Sequence, residues 1–146
     1  MRFLHIMVRV KDLDKSLKFY CDILGLREIY RSVHQAGRFT LVYLSASDDY
    51  DMASKNHAPL IELTYNWDAQ NYISGRNFGH IAFEVGNIYD FCTHLQSHNI
   101  VINRPPRDGR MAFIKSPDDI SIEILQSGDA LDIQSPWQDM PNIGVW

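Results

Sequence analysis

Two histidines and two glutamates occupy matching places in two similar stretches of the chain. His5 lies in "FLHIMVRVKDL", and His80 lies in "FGHIAFEVGNI", 75 residues later. Glu62 lies in "LIELTYN", and Glu123 lies in "SIEILQS", 61 residues later. An extra polar loop over residues 48–58 accounts for most of the difference between the two separations. The chain therefore reads as a duplicated unit with one histidine and one glutamate in each copy.

Strand geometry predicts where these four side chains point. Side chains alternate between the two faces of a strand, so each glutamate points away from the apolar residues that flank it. If the apolar face packs on helices, the opposite face lines a concave sheet that carries the histidines and glutamates. Two imidazoles and two carboxylates on one surface suit a borderline divalent cation such as Ni²⁺, Co²⁺ or Zn²⁺. Waters that complete an octahedron would leave room for a substrate.

Each of the four residues also has an ordinary structural interpretation. A single histidine in a strand is commonly a structural residue, and a glutamate between isoleucines commonly faces solvent. The coincidence of all four at repeat-equivalent positions favours a shared metal site. His94 and His98 are four residues apart on a predicted helix, a spacing that can bind metal, but they lie off its apolar stripe. We expect these two side chains to be exposed to solvent.

The elements that must position the four residues occur in the same order twice. The first copy reads as a strand over residues 3–10, a helix that Asp12 or Asp14 caps and Gly25 ends, and three more strands. The second copy repeats this order from residue 78, with "IVINR" as its second strand. The sequence thus predicts an α+β protein with paired βαβββ modules.

The predicted domain spans residues 1–126 and contains modules at about 1–70 and 76–126. The stretch from residue 127 to residue 146 is polar, with two prolines and two tryptophans. We expect this C-terminal tail to pack its tryptophans on the body of the protein or on a partner subunit. No function follows from its sequence.

The composition indicates a globular protein without a nucleic-acid or membrane partner. Hydrophobic residues make up 45% of the 146 residues, the formal net charge is −4, and no block of five or six like charges occurs. No apolar run approaches the roughly 20 residues that span a bilayer, and "MRFLHIMVRV" is too short and too charged for a signal peptide. Cys21 and Cys92 do not make a disulfide framework. We therefore predict a cytoplasmic protein with two reduced thiols.

Four stretches carry a resemblance to a known family: "MRFLHIMVRVKDLDKSLKFYCDILGL", "IELTYNW", "GHIAFEV" and "SIEIL". Together they resemble the glyoxalase I (lactoylglutathione lyase) family of the vicinal oxygen chelate superfamily. The resemblance runs from Met1 to about Gln126. It implies paired βαβββ modules and a homodimer with active sites at the interface. It also implies isomerisation of the methylglyoxal–glutathione hemithioacetal to S-lactoylglutathione through an enediolate.

The resemblance also implies roles for particular residues. The metal ligands of the family fall on His5, Glu62, His80 and Glu123, with one divalent ion per site. Short members of this kind favour nickel or cobalt, with zinc possible. Glu123 is the implied catalytic base, and Glu62 is the partner carboxylate that acts on the other face of the substrate.

The implied contacts to glutathione fall on three further residues. Arg9 shares a strand face with His5, and its guanidinium can pair with a glutathione carboxylate. Asn66 lies on the face of Glu62. Arg76 precedes His80 by four residues and is equally well read as a surface charge in a loop.

Two departures from the family pattern concern the substrate rather than the metal. "DGRM" runs directly into "AFI", which shortens the loop near Arg107–Met111 by about three residues, and Arg104 is a candidate replacement for a glutathione-binding lysine. A turn that usually contains glycine reads "SPDD" at residues 116–119, which predicts a different turn conformation.

Two alternative functions remain open from the sequence. One is another metal-dependent enzyme of the superfamily with a different substrate, including another thiol conjugate. The second is a non-catalytic small-molecule binding protein, which the intact set of four ligands disfavours.

Overall fold

The chain divides into two compact units, Met1–Ile73 and Ser74–Trp146. The structure is a computed structural model that describes residues 1–68, 70–73, 75 and 77–146. Within this part of the chain no helix is long and apolar enough to cross a membrane. Each unit contains one mixed sheet with helices, which confirms the predicted α+β class of βαβββ type.

The first unit is a four-stranded sheet. Its elements are β1 (His5–Val10), α1 (Leu13–Leu17) continued by a π-helical segment (Lys18–Ile23), β2 (Arg27–His34), β3 (Phe39–Ser45), α2 (Tyr50–Asn56) and β4 (Leu60–Asn66). The strand order is β1-β4-β3-β2. Strands β1 and β4 are parallel, and the other two pairs are antiparallel.

The second unit is a three-stranded sheet. Its elements are β5 (His80–Val85), α3 (Ile88–Ser97), β6 (Met111–Lys115), β7 (Ser121–Gln126) and a short 3₁₀ helix (Trp137–Asp139). The strand order is β5-β7-β6, with β5 and β7 parallel. The parallel first and last strands of each unit thus lie side by side, which brings each histidine strand next to a glutamate strand.

The predicted helix boundaries agree with the local chemistry. The Asp12 carboxylate accepts a hydrogen bond from the backbone N–H of Lys15 at 3.0 Å and caps α1. Gly25 takes a left-handed φ of +83°, which ends the helical segment. Asn87 caps α3 by accepting from two backbone N–H groups.

Two elements differ from the prediction. Residues 48–58, predicted as a loop, contain α2, because Ala53 on its inner face is fully buried against Tyr43 and Leu60. The predicted strand "IVINR" is reduced to one bridge between Arg104 and Phe113. Prolines 105 and 106 follow at once, and a residue without an N–H cannot extend a ladder.

Alternation along the strands separates the core from the open face of each sheet. In β1 the side chains of Val8 and Val10 are buried, whereas those of His5, Met7 and Arg9 lie on the exposed face. The same alternation holds in β7, where Ile122 and Ile124 are fully buried and the residues between them are not. The apolar faces thus form the two cores, and the opposite faces carry the predicted ligands.

The tail over residues 127–146 packs on the second unit. The Leu131 N–H donates to the Gly109 carbonyl at 3.0 Å. Trp137 is 5% exposed and stacks on Tyr89 of α3, with 6.3 Å between the ring centroids. The tail therefore packs on the body of the protein, which is one of the two arrangements expected from the sequence.

Candidate metal centre

His5 and Glu62 form a close pair in the first unit. The parallel pairing of β1 with β4 sets Met7 opposite Glu62, so His5 lies two residues back on the same face. The His5 Nε2 and Glu62 Oε2 atoms are 3.1 Å apart. The second carboxylate oxygen of Glu62 accepts a hydrogen bond from the Thr64 hydroxyl at 3.1 Å.

His80 and Glu123 form the equivalent pair in the second unit. Ala82 is opposite Glu123 in the parallel pairing of β5 with β7, so the register is the same as in the first unit. The His80 Nε2 and Glu123 Oε2 atoms are 3.0 Å apart. Sequence duplication thus appears in three dimensions as two copies of one His–Glu arrangement.

The two pairs also have the same degree of exposure. The histidine side chains are 36% and 43% exposed, whereas the glutamate side chains are only 12% and 14% exposed. A carboxylate with so little access to water requires a positive partner or hydrogen-bond donors. Each glutamate is therefore held in place, while an edge of each imidazole remains open to an ion or a ligand.

An aromatic ring accompanies each pair. Tyr43 of β3 is directly opposite Glu62, and Phe113 of β6 is directly opposite Glu123. The Tyr43 ring meets His5 edge to face at 5.7 Å between centroids, and the Phe113 ring meets His80 in the same way at 5.4 Å. These contacts fix the plane of each imidazole.

Tyr43 differs from Phe113 by its hydroxyl, which donates a hydrogen bond to Glu62. Burial raises the pKa of Tyr43, and the hydrogen bond and charge of Glu62 raise it further. Tyr43 therefore stays protonated and remains a donor across the physiological range. Glu123 has no corresponding donor from Phe113, so the two carboxylates are held differently.

The spacing within each pair fits a divalent cation. Two donors bound about 2.1 Å from one ion at a right angle lie about 3.0 Å apart, whereas tetrahedral ligands lie about 3.4 Å apart. The observed distances of 3.1 and 3.0 Å are those of ordinary hydrogen bonds, and they also allow both side chains of each pair to reach one ion. Among the described residues no group of three or more His, Cys, Asp or Glu side chains is placed to hold an ion. Each pair thus offers two ligands.

The residues predicted to bind glutathione have different surroundings. Arg9 lies exposed on the His5 face of β1, opposite Thr64. The Asn66 side-chain amide donates to the Tyr72 hydroxyl at 2.9 Å, which orients its carbonyl oxygen. Arg76 lies outside the described residues.

Arg104, the candidate replacement for a lysine, is committed to its own loop. Its guanidinium pairs with Asp108 at 2.6 Å and donates to the Met111 carbonyl. Burial tends to raise the pKa of Asp108, but Arg104 and the backbone N–H groups of Arg110 and Met111 outweigh it and lower that pKa to about 2. An internal ion pair therefore closes this loop, while the Asp108 side chain stays 44% exposed to solvent.

The turn without glycine keeps a left-handed residue. Asp119 has a φ of +65°, a conformation that glycine favours and that aspartate tolerates. Lys115 donates to its carboxylate at 2.6 Å. A turn without glycine thus still contains a left-handed residue, which here is Asp119.

Sequence reasoning missed Thr64, Tyr43 and Phe113. Thr64 follows Glu62 by two residues, so period-two alternation places both on one strand face. Tyr43 and Phe113 lie in "LVYLS" and "MAFIK", which occupy matching strands of the two copies. Extending the repeat alignment to these strands would have identified both aromatic residues.

Within the described ranges, the other histidine pair and the two cysteines do not form a second centre. His94 and His98 are in contact on α3, with 4.5 Å between their rings, and both are exposed, as predicted. Burial raises the pKa of the Cys92 thiol to about 12, and burial with nearby Glu28 and Asp22 raises that of Cys21 to about 11. Both cysteines are therefore neutral, unreactive thiols at neutral pH.

Comparison with known proteins connects this geometry to a family. The family model described as "Glyoxalase/Bleomycin resistance protein/Dioxygenase superfamily" matches residues 2–124. A probable lactoylglutathione lyase of Synechocystis sp. is 39% identical over 137 residues, which are 90% of this chain and 100% of the relative. A lactoylglutathione lyase of Neisseria meningitidis is 40% identical over 136 residues, 88% of this chain and 94% of the relative.

A similar solved structure is that of the trypanothione-dependent glyoxalase I of Leishmania major. It is 34% identical in sequence and superimposes with a TM-score of 0.76. The match covers 86% of each chain. The similarity therefore extends over nearly the whole length of both proteins.

Proposed function

The chain belongs to the Glyoxalase/Bleomycin resistance protein/Dioxygenase superfamily, and we propose that within it the chain acts as a lactoylglutathione lyase, or glyoxalase I. The reaction is the isomerisation of the methylglyoxal–glutathione hemithioacetal to S-lactoylglutathione. Relatives with this name align over most of the chain at 39% and 40% identity. The observation that carries the proposal is the pair of His–Glu contacts in identical register.

The proposed metal ligands are His5, Glu62, His80 and Glu123, which bind one divalent ion together. Two imidazole nitrogens and two carboxylates are ligands that nickel, cobalt and zinc all accept. The resemblance to short members of the family leads us to favour nickel or cobalt, with zinc as the third candidate.

The proposed assembly is a homodimer with active sites at its interface. In this arrangement His5 and Glu62 of one subunit act with the second His–Glu pair of the other subunit. Each pair supplies only two ligands, which is too few for a site of useful affinity. Sharing of the ion between subunits would supply the missing half.

The proposed chemistry is a proton transfer between neighbouring carbons. A divalent ion held by His5, Glu62, His80 and Glu123 would supply Lewis-acid chemistry, which makes the C–H group of the carbon that carries oxygen and sulfur more acidic. Glu123 takes that proton and returns it to the neighbouring carbon. Glu62 is the partner carboxylate on the other side of the substrate.

The contacts of the two carboxylates support this division of roles. Glu62 accepts hydrogen bonds from Thr64 and Tyr43, which occupy its lone pairs and restrain its position. Among the described residues the Glu123 carboxylate has a polar contact with His80 alone. A carboxylate with fewer donors keeps more lone pairs available to accept a carbon-bound proton.

The proposed glutathione contacts are Arg9, Asn66 and Arg76. Arg9 lies exposed beside the metal face, where its guanidinium can form two hydrogen bonds to one carboxylate of the tripeptide. The Asn66 amide is already oriented by Tyr72 and presents its carbonyl as an acceptor. Arg76 is assigned from its position four residues before His80.

A second candidate is the same isomerisation of another thiol conjugate. The similar Leishmania major enzyme is described as trypanothione-dependent. The resemblance also implies a shorter loop near Arg107–Met111 than in glutathione-dependent members of the family. Both observations concern the thiol and leave the metal chemistry unchanged.

A spectrophotometric assay of isomerase activity tests this proposal, with metal-free protein to which Ni²⁺, Co²⁺ or Zn²⁺ is added. Methylglyoxal with glutathione, and separately with trypanothione, provides the hemithioacetal substrates. We expect S-lactoylglutathione to form with nickel or cobalt, and no turnover after chelation. Turnover of neither conjugate with any of the three metals would refute the proposal. We place the protein in the cytoplasm, in accord with its two free cysteines.

A further inference from the structure

In each unit a second aromatic ring stacks on the ring that lies opposite the predicted ligand glutamate. The second ring comes from a different part of the chain in each unit. In the first unit Tyr30 of β2 stacks on Tyr43, with 4.1 Å between centroids and 16° between planes. In the second unit Trp146 of the tail stacks on Phe113, with 5.9 Å between centroids and 30° between planes. Tyr43 and Phe113 are repeat equivalents, since each is opposite the ligand glutamate.

The Trp146 ring thus covers Phe113 as the Tyr30 ring covers Tyr43. In the described part of the second unit the strand that corresponds to β2 is reduced to one bridge, in which Arg104 rather than an aromatic residue pairs with Phe113. The tail provides the missing aromatic ring. Tyr30 and Trp146 are also equally exposed, at 37% and 38%.

Several contacts hold the tail in this position. The Asn103 side chain donates to the Ile143 carbonyl at 2.8 Å, and the Ile143 N–H donates to the Asn103 carbonyl at 2.8 Å. The Arg107 guanidinium donates to the Met140 carbonyl at 2.9 Å and to Asn142 at 2.8 Å. Gly144 has a φ of +68°, which lets the chain turn after Ile143. Trp146 is therefore presented by an anchored segment.

Trp146 is also the accessible part of the aromatic surface next to His80. Phe113 contacts His80 edge to face but is only 8% exposed. Trp146 covers Phe113 and keeps 38% of its own surface accessible. A ligand whose reacting oxygens lie near His80 would meet the indole as the next apolar surface.

We propose that Trp146 is a specificity-determining residue, whose indole forms an apolar wall beside His80 for the substituent on the oxoaldehyde part of the substrate. This inference rests on the proposed function and adds a contact from the tail, which lies beyond the matched family region of residues 2–124. An aromatic wall contributes more binding free energy to a flat aryl substituent than to a methyl group. Stacked rings attract one another in addition to the free energy of burying their surface. The wall therefore favours phenylglyoxal-derived over methylglyoxal-derived hemithioacetals.

The test compares the full-length wild type with Trp146→Ala and Trp146→Phe on both glutathione hemithioacetals. We expect Trp146→Ala to lower kcat/KM for the phenyl substrate by roughly 5- to 10-fold, mainly because KM rises. For the methyl substrate kcat/KM should fall by about 2-fold or less. Trp146→Phe should restore most of the loss. Val145→Ala, next to Trp146 and 78% exposed, is the matched control and should change neither value.

Binding without turnover provides a second readout. An S-aryl glutathione thioether cannot isomerise, and we expect it to change the tryptophan fluorescence of the wild type. The change should be lost in Trp146→Phe, which keeps Trp67 and Trp137. An unchanged phenyl-to-methyl ratio in Trp146→Ala, with the fluorescence change retained in Trp146→Phe, would show that Trp146 only packs on Phe113. A wild type inactive on both substrates would instead overturn the proposed function and this inference with it.

Discussion

The phenol of Tyr43 donates a hydrogen bond to the carboxylate of Glu62. The repeat-equivalent residue of the second unit is Phe113, which has no hydroxyl and faces Glu123 through its ring alone. The duplicated unit has therefore diverged at the contact that controls its carboxylate. Two glutamates with the same register, distance to histidine and burial can thereby take different roles.

We predict that Tyr43→Phe weakens metal binding. The variant keeps the ring that stacks on Tyr30 and contacts His5, but Glu62 loses a donor that orients it. Loss of a hydrogen bond behind a metal ligand typically lowers metal affinity by about 10-fold or more. Competition with a chromophoric chelator measures this affinity.

The matched variant for that experiment is Tyr30→Phe. This variant keeps both stacked rings and removes only the Tyr30 hydroxyl. That hydroxyl is hydrogen-bonded to Tyr43 and not to Glu62. We expect its metal affinity to stay within about 3-fold of the wild type. Equal affinities of Tyr43→Phe and the wild type would show that the phenol does not hold the ligand.

We predict that Glu123→Gln leaves a folded protein with little turnover. Glutamine keeps the shape of the side chain but cannot accept a proton, so kcat should fall by about 100-fold or more. The glutamine carbonyl can still reach an ion, which preserves part of the metal affinity. Kinetics at saturating metal, with circular dichroism as the check on folding, separate these effects. Full activity of the Glu123→Gln variant would show that Glu123 is not the catalytic base.

The proposed sharing of the site between two subunits predicts complementation between two inactive variants. His5→Ala and His80→Ala each damage every site of their own homodimer. A heterodimer of the two combines His5 of one chain with His80 of the other and restores one intact site. After subunit exchange, activity should therefore recover to at most about a quarter of the wild-type value per chain. Absence of any recovery, despite exchange shown by mass spectrometry, would place the four ligands in a single chain.

Asp108 predicts a pH-dependent contribution to stability. Its pKa is about 2 in the folded protein, against an ordinary value of 3.8. A lowered pKa stabilises the folded state above pH 4, and this contribution is lost as the pH falls from about 4 to 2. The side chain is 44% exposed, so after solvent screening we expect only about 1 kcal/mol.

Asp108→Asn should therefore lower the free energy of unfolding at pH 6 and flatten its fall between pH 4 and pH 2. Urea titrations at each pH measure both. Asp119→Asn is the control, because it removes the other i,i+4 ion pair of this unit, with Lys115, at a carboxylate that is 61% exposed. Asparagine also tolerates the left-handed φ at that position. If both variants show the wild-type slope, the Arg104–Asp108 pair does not stabilise the loop.

The sequence predicted the fold class and the pairing of faces because both follow from local patterns. Period-two alternation fixes the face of a strand residue, and duplication fixes which strands are equivalent. Helix α2 escaped prediction because a single buried alanine, Ala53, holds it against the sheet. "IVINR" was wrongly assigned to a strand because its β-branched residues outweighed the two prolines that follow.

The contacts that distinguish the two copies could not be read from the sequence alone. Thr64 and Tyr43 reach Glu62 from different strands, and their hydrogen bonds depend on side-chain geometry. Trp146 lies 33 residues from Phe113 in the chain, and its place on that ring depends on anchors such as Asn103. Such contacts between distant segments leave no periodic signal.

Metal stoichiometry distinguishes one ion that both His–Glu pairs bind together from two ions that the pairs bind separately. The measurement is inductively coupled plasma mass spectrometry of the reconstituted wild type and of His5→Ala after removal of loosely bound metal. We predict one nickel or cobalt ion per chain in the wild type and far less than one in His5→Ala, although the pair of His80 and Glu123 is intact. Two ions per chain in the wild type, with one retained by His5→Ala, would show that each pair binds its own ion. That result would refute a single ion shared by both pairs.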